Sequence, residues 1–420
     1  MRCGYACETK AVSVIITLAE NCIRRTFISS EKEECCMNMR IIGSTKPGFS
    51  LSRRAALMFS GLEAGICYMR SSFDRLLHEK PSVTQSRVRG TVGSGHHSVL
   101  GHVSYNLLLS GIPKILAMLL NNEKDCNISE KSARYTIMRT SGLEREIYRK
   151  WLRIFRKLIA KEYPEIPKGT VKKLAQENAR YFISVFTPAT TMGYTVDLRQ
   201  INYIIGWCER FCAEQSDDDP FMSQLKPWVQ QLHDILFKRF NIEGLRDGKD
   251  RKFSLFAPRY RRESFDENYC INYMGTFSEL AQAQRHRTIW YEMMVPELNN
   301  CEFYVPDIIK DGALIAEYKA DMEKLKDRFP QGMLIHINER SVIENFGLKC
   351  RERLCGAAQR EICLQTRENL DKLVAGEIEN DYAEAAHELM WYQDKTKCQM
   401  GYKCNRPCPL GASKAFTRQI

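Results

Sequence analysis

The sequence predicts an α+β protein made of two halves of similar order, and three observations predict it. Its 420 residues are too many for one ordinary core and suit two units of roughly 150–200 residues each. Composition breaks sharply at 244–262, where Arg246, Lys249, Arg251, Lys252, Arg259, Arg261 and Arg262 stand among few core-like residues. The order before the break (helix, basic or polar motif, helix, strand, Asp- or Asn-x-Arg, helix) recurs after it, which makes an internal repeat the economical explanation.

Residues 1–45 are cysteine-rich and weakly patterned, and read as an N-terminal extension open to disorder. The first half, 46–243, begins with apolar residues at helical spacing over 51–75 (Ala56, Phe59, Leu62, Ile66, Met69), and a Gly/Ser/His stretch at 90–101 separates these from a helix predicted over 107–120. An amphipathic helix follows at 144–161, with Trp151 and Phe155 on the apolar side. A β-rich run at 187–196 leads into Asp197-Leu198-Arg199 and a helix through Trp207, and another helix covers 225–237. The basic linker 244–262 reads as a solvated connector. In the second half, 263–420, a helix ends in Gln282-Ala283-Gln284-Arg285-His286-Arg287 and 318–328 is helical. A β-like run at 333–337 precedes Asn338-Glu339-Arg340, which is expected to open a helix ending near Cys363.

The balance of 62 basic against 51 acidic residues favours anionic ligands, nucleotides among them. Seventeen scattered cysteines, many inside apolar helical patterns, read as reduced thiols of a cytoplasmic protein. No run approaches the roughly 18 apolar residues of a membrane span. The nearest thing to a signal region, 11–19, lacks a basic leader beyond Arg2 and Lys10 and a clear cleavage site. Cys398, Cys404 and Cys408 have three-ligand spacing but no Cys-x-x-Cys pair, so no metal is expected. Charge alone does not make the linker a nucleic-acid module, and nucleic-acid binding is not expected.

Two clusters carry chemistry. Arg285, His286 and Arg287 put two guanidinium forks and an imidazole within one turn, suited to a planar anion or an electron-rich ring. Glu130, Ser132 and Arg134 alternate, so an extended loop would align a carboxylate, a hydroxyl and a guanidinium as a phosphate and ribose cradle. Each alone is read more plainly as a surface charge cluster or as turn chemistry.

Taken together, the two clusters resemble the signature of flavin-dependent thymidylate synthases: Arg-His-Arg, seven residues, then Ser-x-Arg-Tyr. Gly65-Ile66-Cys67-Tyr68, Gly95-His96-His97-Ser98 through His102, Ser132-Ala133-Arg134-Tyr135, Asn178-Ala179-Arg180-Tyr181 and Thr195-Val196-Asp197-Leu198-Arg199 resemble family elements in order. In the first half, however, the Arg-His-Arg positions hold Asn122, Glu123 and Lys124, and Leu119 stands for the glutamine. The second half keeps Gln282-x-x-Arg285-His286-Arg287 but has Val295 for the serine; Asn338-x-Arg340, Asn345, Arg353 and Ala358-Gln359-x-Glu361-Ile362 resemble later elements.

The resemblance implies two tandem, diverged repeats, each a small antiparallel sheet packed with helices. Because the family's sites lie between subunits, it also implies one composite site between the repeats. Gln282, Arg285, Arg353, Glu130, Ser132, Ala133, Arg134 and Arg180 would bind dUMP, with Arg353 catalytic in stabilising the ionised pyrimidine. Arg285, His286, Arg287, Glu130, Asn338, Arg340 and Asn345 would bind FAD. The implied reaction makes dTMP from dUMP, with methylenetetrahydrofolate as carbon donor and FAD reduced by NADPH. The family is tetrameric, so a homodimer of this chain is expected. The alternative is a non-catalytic nucleotide-binding or regulatory protein derived from the same fold.

Overall fold

The computed structural model describes residues 37–45, 52–67, 69, 72–215, 218–249, 251–380, 382–404 and 408–420. The segments 1–36, including 11–19, and Tyr68 lie outside them. The fold is mixed α+β, with two small antiparallel sheets packed with helices.

The first sheet has the order β1-β2-β4-β3, from β1 (Asn38–Ser44), β2 (Ser104–Ile112), β3 (Cys126–Glu130) and β4 (Thr190–Asp197). The second has the order β5-β7-β6, from β5 (Asn268–Thr276), β6 (Trp290–Met294) and β7 (Leu334–Val342). Without its added edge strand β1, the first sheet has the connectivity of the second. In each, the first and second strands both pair antiparallel with the third.

The intervening elements also correspond. A short helix joins the first two strands, α4 (Lys114–Asn122) in one half and α9 (Phe277–Ala283) in the other. A helical excursion then reaches the central strand: α5 (Gly142–Glu162) and α6 (Lys168–Ala179) in the first half, α10 (Gly312–Glu323) in the second. A helix follows the central strand directly, α7 (Leu198–Glu214) or α11 (Ile343–Arg353). The first half also has α1 (Arg53–Ile66), α2 (Phe73–Leu77), α3 (Pro81–Gly93) and α8 (Pro220–Phe240), and the second has α12 (Arg360–Glu379) and α13 (Ala383–Met390).

Four expectations are corrected. Residues 107–120 are not one helix: Tyr105, Leu107 and Leu109 alternate inward along β2, and Gly111 at φ 66° and Pro113 end the strand before α4 begins. Asn338-Glu339-Arg340 lies inside β7, where Ile335, Ile337 and Glu339 face the core. The segment 38–44 is a strand paired with β2 rather than part of an unordered extension. The linker is not a solvated connector, because Phe253 and Leu255 are buried and Leu255 and Ala257 bond Met293 of β6 through their backbones.

One hydrophobic core runs through both halves. It unites Leu107, Met192 and Ile204 of the first with Phe277, Met293 and Ile337 of the second, and the linker's Phe253 and Leu255 belong to it. A second cluster packs Trp151, Phe155 and Phe182 against Tyr318 of α10. There the Trp151 indole N–H and Lys150 both reach Asp321. Each half therefore buries apolar surface that it would expose if alone.

Candidate active site

A cavity of about 280 Å³ opens between the halves. Its first wall is the chain leaving β3 through Glu130. The loop after it closes on itself: the Ser132 carbonyl accepts from the Thr136 amide at 3.0 Å and hydroxyl at 2.8 Å, and the Ser132 hydroxyl accepts from the Arg134 amide at 3.3 Å. Arg180 enters from the C-terminal end of α6. The second wall is α9, whose N-cap Thr276 accepts from the Glu279 amide at 3.0 Å and which carries Gln282 toward the cavity. Arg353 arrives as the last residue of α11.

All eight residues expected to hold the nucleotide line this one cavity: Glu130, Ser132, Ala133, Arg134 and Arg180 from the first half, Gln282, Arg285 and Arg353 from the second. The walls are tied to each other. Arg134 Nη2 donates to the Ala357 carbonyl at 3.0 Å, and Gln359 Oε1 accepts from Arg180 and, at 2.7 Å, from Gln282. The Tyr181 hydroxyl donates to Glu361 at 2.6 Å. Glu177, missed in the sequence, and Gln359, matched there to a family element but given no role in the site, thus fix the arginines. Glu177, three residues before Arg180, accepts from Arg134 Nε at 2.5 Å.

The cavity is electropositive. Lys114 neutralises Glu130 at 2.8 and 3.0 Å. Arg285, Arg353 and Lys131 make no ion pair among the described residues. Burial lowers the pKa of Arg180 and of Arg353, the cost of holding guanidinium charge away from water. Burial also opposes the charge of Arg134, but Glu177, with Tyr135 and Tyr181, more than offsets it and its pKa is raised. Arg180 Nε and Gln282 Oε1 are buried without partners, a donor and an acceptor facing a site that offers them none.

The residues expected to hold the flavin are not gathered in one place. Arg285 and Glu130 line this cavity. Arg340 and Asn345 line a larger one, of about 790 Å³. His286, Arg287 and Asn338 line neither. His286 Nε2 accepts from Arg353 Nε at 2.8 Å; burial, then Arg353 and Lys349, hold its pKa down at about 2, so it is a neutral acceptor that orients Arg353. Arg287 Nη1 donates to Cys126 Sγ at 3.1 Å across the junction of the halves. Asn338 is 2% exposed beneath the linker and donates to the Arg259 carbonyl at 3.3 Å. A strand's period of two puts Asn338 and Arg340 on one face, but the linker covers only the first.

Asn122, Glu123 and Lys124 of the first half form a seam with the second half and the linker. Asn122 Nδ2 donates to the Tyr291 carbonyl at 2.9 Å and its Oδ1 accepts from Gln284 at 3.0 Å. Glu123 accepts from Ser254 and pairs with Arg251 at 2.8 Å. Lys124 donates to the Ile289 carbonyl at 2.6 Å.

Residues 62–211 match the family model Thy1, described as thymidylate synthase complementing protein. The matched residues contain the first wall of the cavity, and the second wall lies beyond them. No curated protein matches the chain. Among solved structures it is similar to a UMP/dUMP methylase, PolB from Streptomyces cacaoi bound with 5-Br dUMP, at 16% identity over 48% of this chain and 91% of that one, with a TM-score of 0.29. It is also similar to thymidylate synthase X from Helicobacter pylori with FAD and dUMP, at 15% identity over 49% of this chain and all of that one (100%), with a TM-score of 0.28. Among the described residues no helix is long and apolar enough to cross a membrane, and no group of three or more His, Cys, Asp or Glu could hold a metal ion.

Proposed function

We propose that this chain methylates dUMP to dTMP at the cavity between its halves, with methylenetetrahydrofolate as carbon donor and FAD, reduced by NADPH, as hydride source. The observation that carries the reading is that the Thy1-like first wall and the Gln282, Arg285 and Arg353 wall line one electropositive space. Arg134 and Arg180 grip the phosphate, because a dianion in a half-dry site needs charge-assisted donors, and the Ser132 hydroxyl adds another. Gln282 Oε1 offers an acceptor to the pyrimidine. Arg353, fixed by His286 and by the Gln282 carbonyl at 2.9 Å, stabilises negative charge as the ring ionises and activates C5. Of the residues that would hold a flavin, Arg285 and Glu130 line this cavity and Arg340 and Asn345 the larger one; the flavin would supply the hydride and the folate the carbon.

We read the halves, 46–243 and 263–420, as diverged copies joined by 244–262; the shared strand connectivity supports this, and β1 extends the first copy to residue 38. A homodimer would then hold four such units, which light scattering would show as twice the chain mass. The direct test is dTMP formation from dUMP with FAD, NADPH and methylenetetrahydrofolate. Arg134→Ala and Arg353→Ala should each lower turnover about 100-fold or more. Full activity in either variant would refute the composite site. Binding of dUMP with no turnover would favour a non-catalytic nucleotide-binding role.

A further inference from the structure

The larger cavity lies on the outer face of the β5-β7-β6 sheet. Trp290 of β6 stands opposite Arg340 of β7, and Glu292 opposite Asn338, so all four share that face. The linker crosses it and is bonded down. Asn338 Nδ2 donates to the Arg259 carbonyl at 3.3 Å, Asn272 Nδ2 to the Arg261 carbonyl at 2.9 Å, and the Tyr260 hydroxyl meets His336. This crossing brings three arginines to a face that already has one.

Their charges are not all free. Arg261 is paired through two nitrogens with Glu292, and the two cancel. Arg259 and Arg262 line the cavity with no carboxylate partner among the described residues. Arg340 has its Nε buried without a partner, and its guanidinium sits 5.5 Å from the centre of the Trp290 ring, with Lys124 Nζ 4.9 Å from the same centre. Three guanidinium groups without a carboxylate partner and a tryptophan 40% exposed therefore border a space of about 790 Å³. That much cationic hydrogen-bonding capacity exceeds what one monoanion uses and matches two linked phosphates. A tryptophan braced by an arginine suits the face of a nucleobase.

We propose that this cavity binds a nucleoside diphosphate moiety, with its phosphates held by Arg259, Arg262 and Arg340 and its base against Trp290. The phosphate grip comes mainly from the connector between the halves, a part of the chain outside the residues matched to Thy1. The same chemistry is found in the adenylate end of FAD and in a free nucleotide. The first source rests on the flavin reading above, and the second does not.

The experiment uses the full chain and three titrations: ADP by calorimetry, FAD by flavin fluorescence, and dUMP by calorimetry. The proteins are wild type and the double variants Arg259→Ala/Arg262→Ala and Arg259→Lys/Arg262→Lys. The wild type should bind ADP, FAD or both. The alanine variant should weaken that binding tenfold or more and leave dUMP binding and the thermal midpoint unchanged, and the lysine variant should recover part of the loss. Mutual displacement of ADP and FAD, with parallel losses, identifies the flavin; loss of ADP alone identifies a free nucleotide. Absence of both from the wild type at millimolar ligand overturns the proposal, and so does wild-type affinity in the alanine variant. Loss of dUMP binding in Arg134→Ala with ADP retained would bear on the nucleotide pocket and not on this one.

Discussion

At the scale of single residues, the cavity is defined by which charges are left without a partner. Arg134 has Glu177 and Glu130 has Lys114, whereas Arg285, Arg353 and Lys131 have no carboxylate partner among the described residues. His286 gives this a measurable consequence. Its native pKa of about 2 lies far below the unfolded value near 6.5, so the unfolded chain takes up a proton below pH 6.5 that the native chain refuses. Stability is therefore lost as pH falls through that window, by about 2 kcal/mol between pH 7 and 5 from this residue. His286→Gln keeps an acceptor for Arg353 and should lose about 2 kcal/mol less over the same interval in urea unfolding. An unchanged slope would mean that His286 titrates normally. The pocket's charged residues were named through the resemblance to flavin-dependent thymidylate synthases, since each cluster alone reads more plainly as surface charge or turn chemistry. Glu177 was not, and Gln359 was given no role in the site, because their role depends on a tertiary approach of two segments that no local pattern encodes.

At the scale of elements, helices with one apolar face were legible: α5, α7 and α8 lie close to their expected spans. Strands were harder. The three consecutive leucines in β2 imitate a buried helix, and only Gly111 and Pro113 marked the break. In β7 the polar triplet Asn338-Glu339-Arg340 hid a strand because Glu339 faces inward, fully buried, on a fully buried Lys349 at 2.6 Å, with the Tyr269 and Tyr273 hydroxyls donating to the same carboxylate at 3.0 and 2.9 Å. Removing one partner of such a pair strands a charge in the core. Lys349→Ala should cost about 3–5 kcal/mol, read as a lower urea midpoint. A loss below 1 kcal/mol would show that water or another cation reaches Glu339.

For the molecule as a whole, the continuous core predicts a single folding unit. Expressed alone, residues 1–243 would expose the surface that Phe277, Met293 and Ile337 cover and would lack Gln282, Arg285 and Arg353. This fragment should show no cooperative thermal transition and no dUMP binding, while the full chain should melt in one calorimetric step. Two separated transitions in the full chain would contradict the shared core. The order of elements made the similarity of the halves visible in the sequence. Their interlocking was not visible, since the linker was read from its charge and its two buried apolar residues, Phe253 and Leu255, decide where it lies.

The seam at Asn122, Glu123 and Lys124 has a consequence for the history open to this chain. Placing arginine, histidine and arginine there would not create a second pocket. It would remove the amide that holds Tyr291 and Gln284, the carboxylate that holds Ser254 and Arg251, and the ammonium that caps Ile289. On the proposed reading of the halves as diverged copies, these positions exchanged ligand chemistry for adhesion, and the exchange behaves as a ratchet: each contact made across the seam raises the number of simultaneous changes needed to go back.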